Sequence, residues 1–110
     1  MDLAQITRSV QLYLVNKPVI RAYLFGSFAV GNNSEDSDID ILVELDHTKP
    51  IGLEFVGMWQ DLQKLLGRKV DLVTLDGVSP FIRPHVESQK LLIYERGSVF
   101  PYLKKKYEKS

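Results

Sequence analysis

Apolar side chains recur every three to four positions at Leu3, Ile6, Val10 and Leu14, which predicts an amphipathic helix over residues 2–16 with Asp2 as its N-cap. Asn16-Lys17-Pro18 stops it, because the residue before a proline is turned away from helix. Val19 to Phe25 is a nearly continuous apolar run broken by Arg21, and it predicts a strand covered on both faces. Gly26-Ser27 turns the chain, Ser27 to Val30 starts a short helix, and Gly31-Asn32-Asn33-Ser34 has loop composition. Alternation resumes from Asp38 to Leu45 as a second strand, with Ile39, Ile41 and Val43 toward a core. A loop punctuated by Pro50 and Gly52 follows. Phe55, Val56, Met58, Trp59, Leu62, Leu65 and Leu66 then trace a broad apolar helix face over 53–66, stopped by Gly67.

Val70 to Leu75 reads as a third strand, with Asp71 near its start. Ser79-Pro80 reads as an N-cap and a proline in the first turn, opening a helix to about Lys90. Leu91 to Tyr94 reads as a short apolar extension. The basic tail after Gly97, with Lys104-Lys105-Lys106, reads as frayed or disordered. The order helix, strand, short helix, strand, helix, strand, helix predicts one α/β (α+β) domain. It has a small mixed sheet of about three main strands flanked by helices.

Composition narrows the function. The chain has 110 residues, one domain's worth, and its 14 basic residues balance its 14 acidic ones. Zero net charge argues against a dedicated nucleic-acid grip, which needs a strongly basic face. The absence of cysteine excludes disulfides and thiolate metal sites. Asp2, Gln5 and Arg8 interrupt the hydrophobic positions at the start, so the sequence predicts a cytoplasmic protein with no membrane segment.

The chemistry gathers around residues 26–43. Asp38 and Asp40 stand two apart in a strand, so both carboxylates face one way, roughly 7 Å apart. That suits Mg²⁺ and phosphate better than a fold's interior. Ten residues separate Ser27 from Asp38, giving Gly26-Ser27, ten residues, Asp38-Ile39-Asp40, and a further Asp71 on a later strand. In this combination the chain resembles the minimal nucleotidyltransferases. These are small stand-alone members of the DNA polymerase beta-like nucleotidyltransferase superfamily, paired with a HEPN-domain partner.

The resemblance implies a nucleotidyltransferase fold over residues 1–97, with 98–110 as a basic tail. It further implies that Asp38 and Asp40 hold two Mg²⁺ ions. Asp71 would be the third carboxylate, and Gly26 and Ser27 would bind the phosphates of ATP. The implied reaction transfers AMP to a tyrosine of a HEPN-type ribonuclease toxin, which would make the chain its antitoxin in a hetero-oligomer. One departure stands out: Ala29-Val30-Gly31 has valine where the family commonly has arginine, a residue hard to replace at phosphate sites. Two other functions compete with this one. The first is an antitoxin that neutralises its partner by binding alone. The second is transfer to a small molecule such as an aminoglycoside, for which the chain has no length to spare.

Taken singly, each feature has a plainer meaning: a Gly-Ser turn, a solvated or capping Asp pair, an ordinary strand-start acid. The remaining candidates read more simply still. His47 and His85 lack ligand spacing. Glu44 shares the Asp38/Asp40 face, as an outer support of the site or as a solvated acid. Phe55, Met58 and Trp59 read as core or partner surface, and Arg83 and Lys90 as helix-surface charge.

Overall fold

The structure, a computed structural model, describes residues 2–26, 37–81 and 83–97. Its elements are α1 (Leu3–Leu14), β1 (Val19–Phe25), β2 (Ile39–Leu45), α2 (Glu54–Leu66), β3 (Val70–Thr74), α3 (Arg83–Gln89) and β4 (Leu91–Glu95), with a 3₁₀ turn at Leu75–Gly77. The expected short helix at 27–30, the loop at 31–34, Val30 and the basic tail lie outside the described residues.

α1 starts where its cap predicts. Asp2 accepts from the Gln5 N–H and Gln5 Oε1 accepts from the Asp2 N–H, each at 2.9 Å, a reciprocal box that satisfies two donors. α2 ends at Gly67, which takes φ +63° and returns its N–H to the Gln63 carbonyl. That left-handed cap favours glycine. Only Gly67, Arg68 and Lys69 then separate α2 from β3.

The four strands form one mixed sheet in the order β3-β2-β1-β4. β1 pairs antiparallel with β2 and with β4, whereas β2 and β3 run parallel and are joined through α2. One face carries the main core, where Ile6, Val10 and Leu14 of α1 and Met58, Leu62 and Leu66 of α2 meet Leu24, Ile39, Ile41 and Val43. The opposite face has a smaller cluster in which Val86 of α3 packs on Tyr23 and Leu42. Ile39, Ile41 and Val43 are fully buried, as their alternation predicts.

Three expectations change. Leu91–Glu95 is a fourth strand, pairing Leu24 with Leu91 and Ala22 with Tyr94. Its apolar run is too short to declare itself, and Leu91 and Leu92 stay partly exposed on the sheet edge. β3 stops at Thr74, whose hydroxyl accepts from the Gly77 N–H and caps the 3₁₀ turn. The last helix is Arg83–Gln89, so Ser79 is not its N-cap. Ser79 Oγ instead accepts from the Phe81 N–H at 3.3 Å, closing a local turn.

Candidate active site

Register places the candidate site. Phe25 of β1 stands opposite Asp40 of β2, and Asp40 stands beside Asp71 of β3. The parallel β2–β3 pair therefore carries its two acids side by side, both on the face opposite the main core. Asp38 lies one residue before β2, exposed, with Lys69 Nζ 3.8 Å from its Oδ2. Arg68 Nη2 donates to the Ser37 carbonyl at 2.6 Å and so fixes the backbone leading into Asp38. Gly26, at φ +71°, ends β1 directly against Asp40, and a Cβ built there would collide with Asp40 Oδ2.

The three acids load one another with negative charge. Asp40 is half-buried, and its carboxyl is pushed above the usual carboxylate range, first by burial and then by the charges of Asp71 and Asp38. Among the described residues no donor reaches it. Nor, among those residues, do three acidic or histidine side chains already converge as a closed cage. An all-oxygen set that crowds its own charge is nonetheless chemically suited to a hard divalent cation such as Mg²⁺, which takes few carboxylates and keeps much of its water. Ser27, expected beside Gly26, lies outside the described residues.

A cleft of about 370 Å³ opens next to these acids between α2 and β3. Phe55, Val56 and Trp59 line it together with Asp38, Lys69 and Asp71. Trp59 is anchored by its indole N–H, which donates to the Val70 carbonyl at 2.8 Å.

The sequence profile of the family described as polymerase beta, nucleotidyltransferase, matches residues 8–98. The chain belongs to this family. It is 35% identical over 86 residues to a Methanocaldococcus jannaschii protein named for protein adenylyltransferase activity, an alignment covering 78% of this chain and 91% of that one. Several solved structures share the fold, among them two complexes. A toxin–antitoxin complex with AMP-PNP superposes with a TM-score of 0.68 at 27% identity, over 83% of this chain and 74% of that one. A Shewanella oneidensis complex of a tri-AMPylated HEPN toxin with its MNT antitoxin gives 0.60 at 25% identity, over 84% and 73%.

In this nucleotidyltransferase the other polar candidates are engaged elsewhere. Glu44, on the Asp40 face, receives Arg21 Nη1 at 2.9 Å, while Arg21 Nε reaches Glu95 at 2.7 Å. One guanidinium thus ties β2, β1 and β4 together across the sheet. Lys90 Nζ bonds Glu87 at 2.7 Å and lies 4.1 Å from the centre of the Tyr23 ring, so it closes α3 onto β1. His47 pairs with Asp76 at 2.8 Å on an exposed loop, and His85 and Arg83 lie exposed on α3. Met58 is core, whereas Trp59 is partly exposed at the cleft. Sequence reasoning missed Lys69 and Arg68; their only signal was a basic pair squeezed between a helix stop and an acid-bearing strand.

Among the described residues no helix is long and apolar enough to cross a membrane.

Proposed function

We propose that the chain is a Mg²⁺-dependent protein adenylyltransferase, moving AMP from ATP onto a tyrosine hydroxyl of a HEPN-type toxin and so acting as its antitoxin in the cytoplasm. The observation that carries this reading is Asp40 and Asp71 side by side on β2 and β3, with Gly26, just past the end of β1, packed against Asp40 and Asp38 one residue before β2. The named activity of the M. jannaschii relative and the AMPylated HEPN toxin bound to the Shewanella protein support the acceptor class. The AMP-PNP in the other complex supports ATP.

In this reading Gly26 and Ser27 take the β- and γ-phosphates, with Gly26 leaving room for close approach. Asp38, Asp40 and Asp71 would hold Mg²⁺, which when bound offsets the charge of the triphosphate. The tyrosine oxygen forms a bond to the α-phosphorus as the bond from that phosphorus to the bridging oxygen breaks and pyrophosphate leaves. Asp71, exposed at the edge of the sheet, would accept the hydroxyl proton. Holding the attack in line is the larger part of the catalysis.

Intact-mass measurement of the HEPN-type partner after incubation with the protein, ATP and Mg²⁺ tests this. Gain of whole AMP units, absent with Asp38→Ala/Asp40→Ala, is the expected result. No gain from the wild type overturns it. The valine at position 30 favours one second reading, an antitoxin that works by occlusion. Under that reading the Asp38→Ala protein protects against the toxin as well as the wild type does.

A further inference from the structure

Among the described residues β3 is an end strand of the sheet, and its outer edge is only partly occupied. Val70 donates its N–H to Gln63 Oε1 at 3.2 Å and accepts the Trp59 indole N–H at 2.8 Å. Both peptide groups of Val70 therefore point away from β2. Because these groups alternate along a strand, those of Leu72 point the same way, out along the free edge. Among the described residues, none bonds the Leu72 backbone on that side. An edge with free N–H and C=O groups is a template for an added strand.

The same edge forms the floor of the α2–β3 cleft. Val56 and Trp59 hold apolar surface open there, 45% and 39% exposed. The cleft is at the small end for a ligand site, where pockets run from about 300 to 1,000 Å³, and it has room for one side chain and its backbone.

In-line displacement decides which reactant comes to this side. Nucleophile and leaving group must lie on opposite sides of the phosphorus. In the adenylyl-transfer reading, with the β- and γ-phosphates on Gly26 and Ser27, the pyrophosphate would leave on the side of Gly26, at the end of β1. Across the sheet from it come Asp40, then Asp71, then the cleft. The attacking hydroxyl must arrive from the β3 side.

We infer that the α2–β3 cleft is the acceptor site. It takes an extended segment of the acceptor protein as an added strand at Leu72, seats the aromatic side chain to be modified against Phe55, Val56 and Trp59, and presents its oxygen to Asp71. Main-chain bonds at Leu72 give affinity and register, and the aromatic walls select the side chain. This rests on the adenylyl-transfer reading above and names where that reaction's second substrate binds.

Val56→Asp tests it, since Val56 is exposed and its replacement leaves the core alone. With a purified HEPN-type acceptor, ATP and Mg²⁺, the acceptor KM should rise about tenfold or more. The affinity for AMP-PNP with Mg²⁺, measured by calorimetry, should stay unchanged. Leu65→Asp, on the same helix away from the cleft, should change neither. In parallel, a photo-crosslinking side chain at position 56 should capture the acceptor segment that carries the modified hydroxyl. An unchanged acceptor KM overturns the inference, as does a parallel loss of AMP-PNP affinity, which would make the cleft the nucleotide's. If the wild type transfers no AMP, the adenylyl-transfer reading fails and this inference with it; if only Val56→Asp fails to fold, the crosslink decides the cleft by itself. Capture of a segment remote from the modified residue, or of none, then overturns it.

Discussion

Gly26 and Asp40 are packed so closely that residue 26 has no room for a side chain: its Cβ would collide with Asp40 Oδ2. Its backbone also holds φ +71°, where L side chains are strained. Sequence reasoning credits this glycine with making room for phosphate; the geometry adds that it makes room for a carboxylate. Gly26→Ala should therefore cost about 1–3 kcal/mol of stability. AMP transfer should fall further than stability does, because Asp40 must move. Denaturant midpoints and transfer rates check this, and an unshifted midpoint would refute it.

Asp40 should stabilise the protein when it is neutralised. Its carboxyl titrates higher in the folded chain than in the unfolded one, through burial first and then the charges of Asp71 and Asp38. The folded state then binds the extra proton, so the ionised form costs stability above the raised pKa, and that cost fades as pH falls through it. Without divalent cations at neutral pH, Asp40→Asn should melt higher than the wild type, with the gap closing in acid. Mg²⁺ should raise the Tm of the wild type and not of the variant, which should also lose AMP transfer. A variant that melts lower at neutral pH would count against this account.

Asp46 gives the opposite sign. The Thr48 hydroxyl, then Arg96 and the Thr48 N–H, hold its carboxyl well below the usual carboxylate range. Its contribution is complete above the unfolded value of about 3.9 and is lost as pH falls from there toward the depressed folded pKa. Asp46→Asn should lower the Tm at neutral pH and flatten the acid limb of the Tm–pH curve. Melting curves taken through the acid range test both parts, and parallel curves for the two proteins would exclude Asp46 as the source.

Gln11 joins α1 to the far edge of the sheet. It is buried, its side-chain amide donates to the Ile93 carbonyl at 2.7 Å, and its own Oε1 has no partner among the described residues. Gln11→Leu removes the orphaned oxygen but strands the carbonyl, a loss of about 1–3 kcal/mol that the first change partly offsets. The net result should be a modest destabilisation, with faster amide exchange in β4 and unchanged AMP transfer. A more stable variant would show that the orphaned oxygen dominates.

The parts legible in the sequence are those fixed by local periodicity. Leu3-Ile6-Val10-Leu14 gives α1, and the alternation Asp38-Ile39-Asp40-Ile41 fixes which side chains face the core. What pairs with what was not legible. Asp71 meets Asp40 through a parallel crossover whose register depends on how α2 packs, and no property of residues 70–74 alone states it. β4 escaped for the same reason, since a five-residue run with two exposed leucines becomes a strand only beside β1. Glu44 read as an outer support of the site or a solvated acid, because only its face was known. Its partner, Arg21, comes from another strand.

The three residues from Gly67 to Lys69 set the phase of the acid-bearing half of the sheet. A strand alternates with a period of two, so one residue added or removed there would turn Asp71 into the core and Val70 toward the acids. The left-handed cap at Gly67 makes the cut-off of α2 abrupt, which keeps that count odd and fixed. Length variation between relatives should therefore collect in the 46–53 loop and be excluded from 67–69: the chemistry is protected by a spacing as much as by an amino acid.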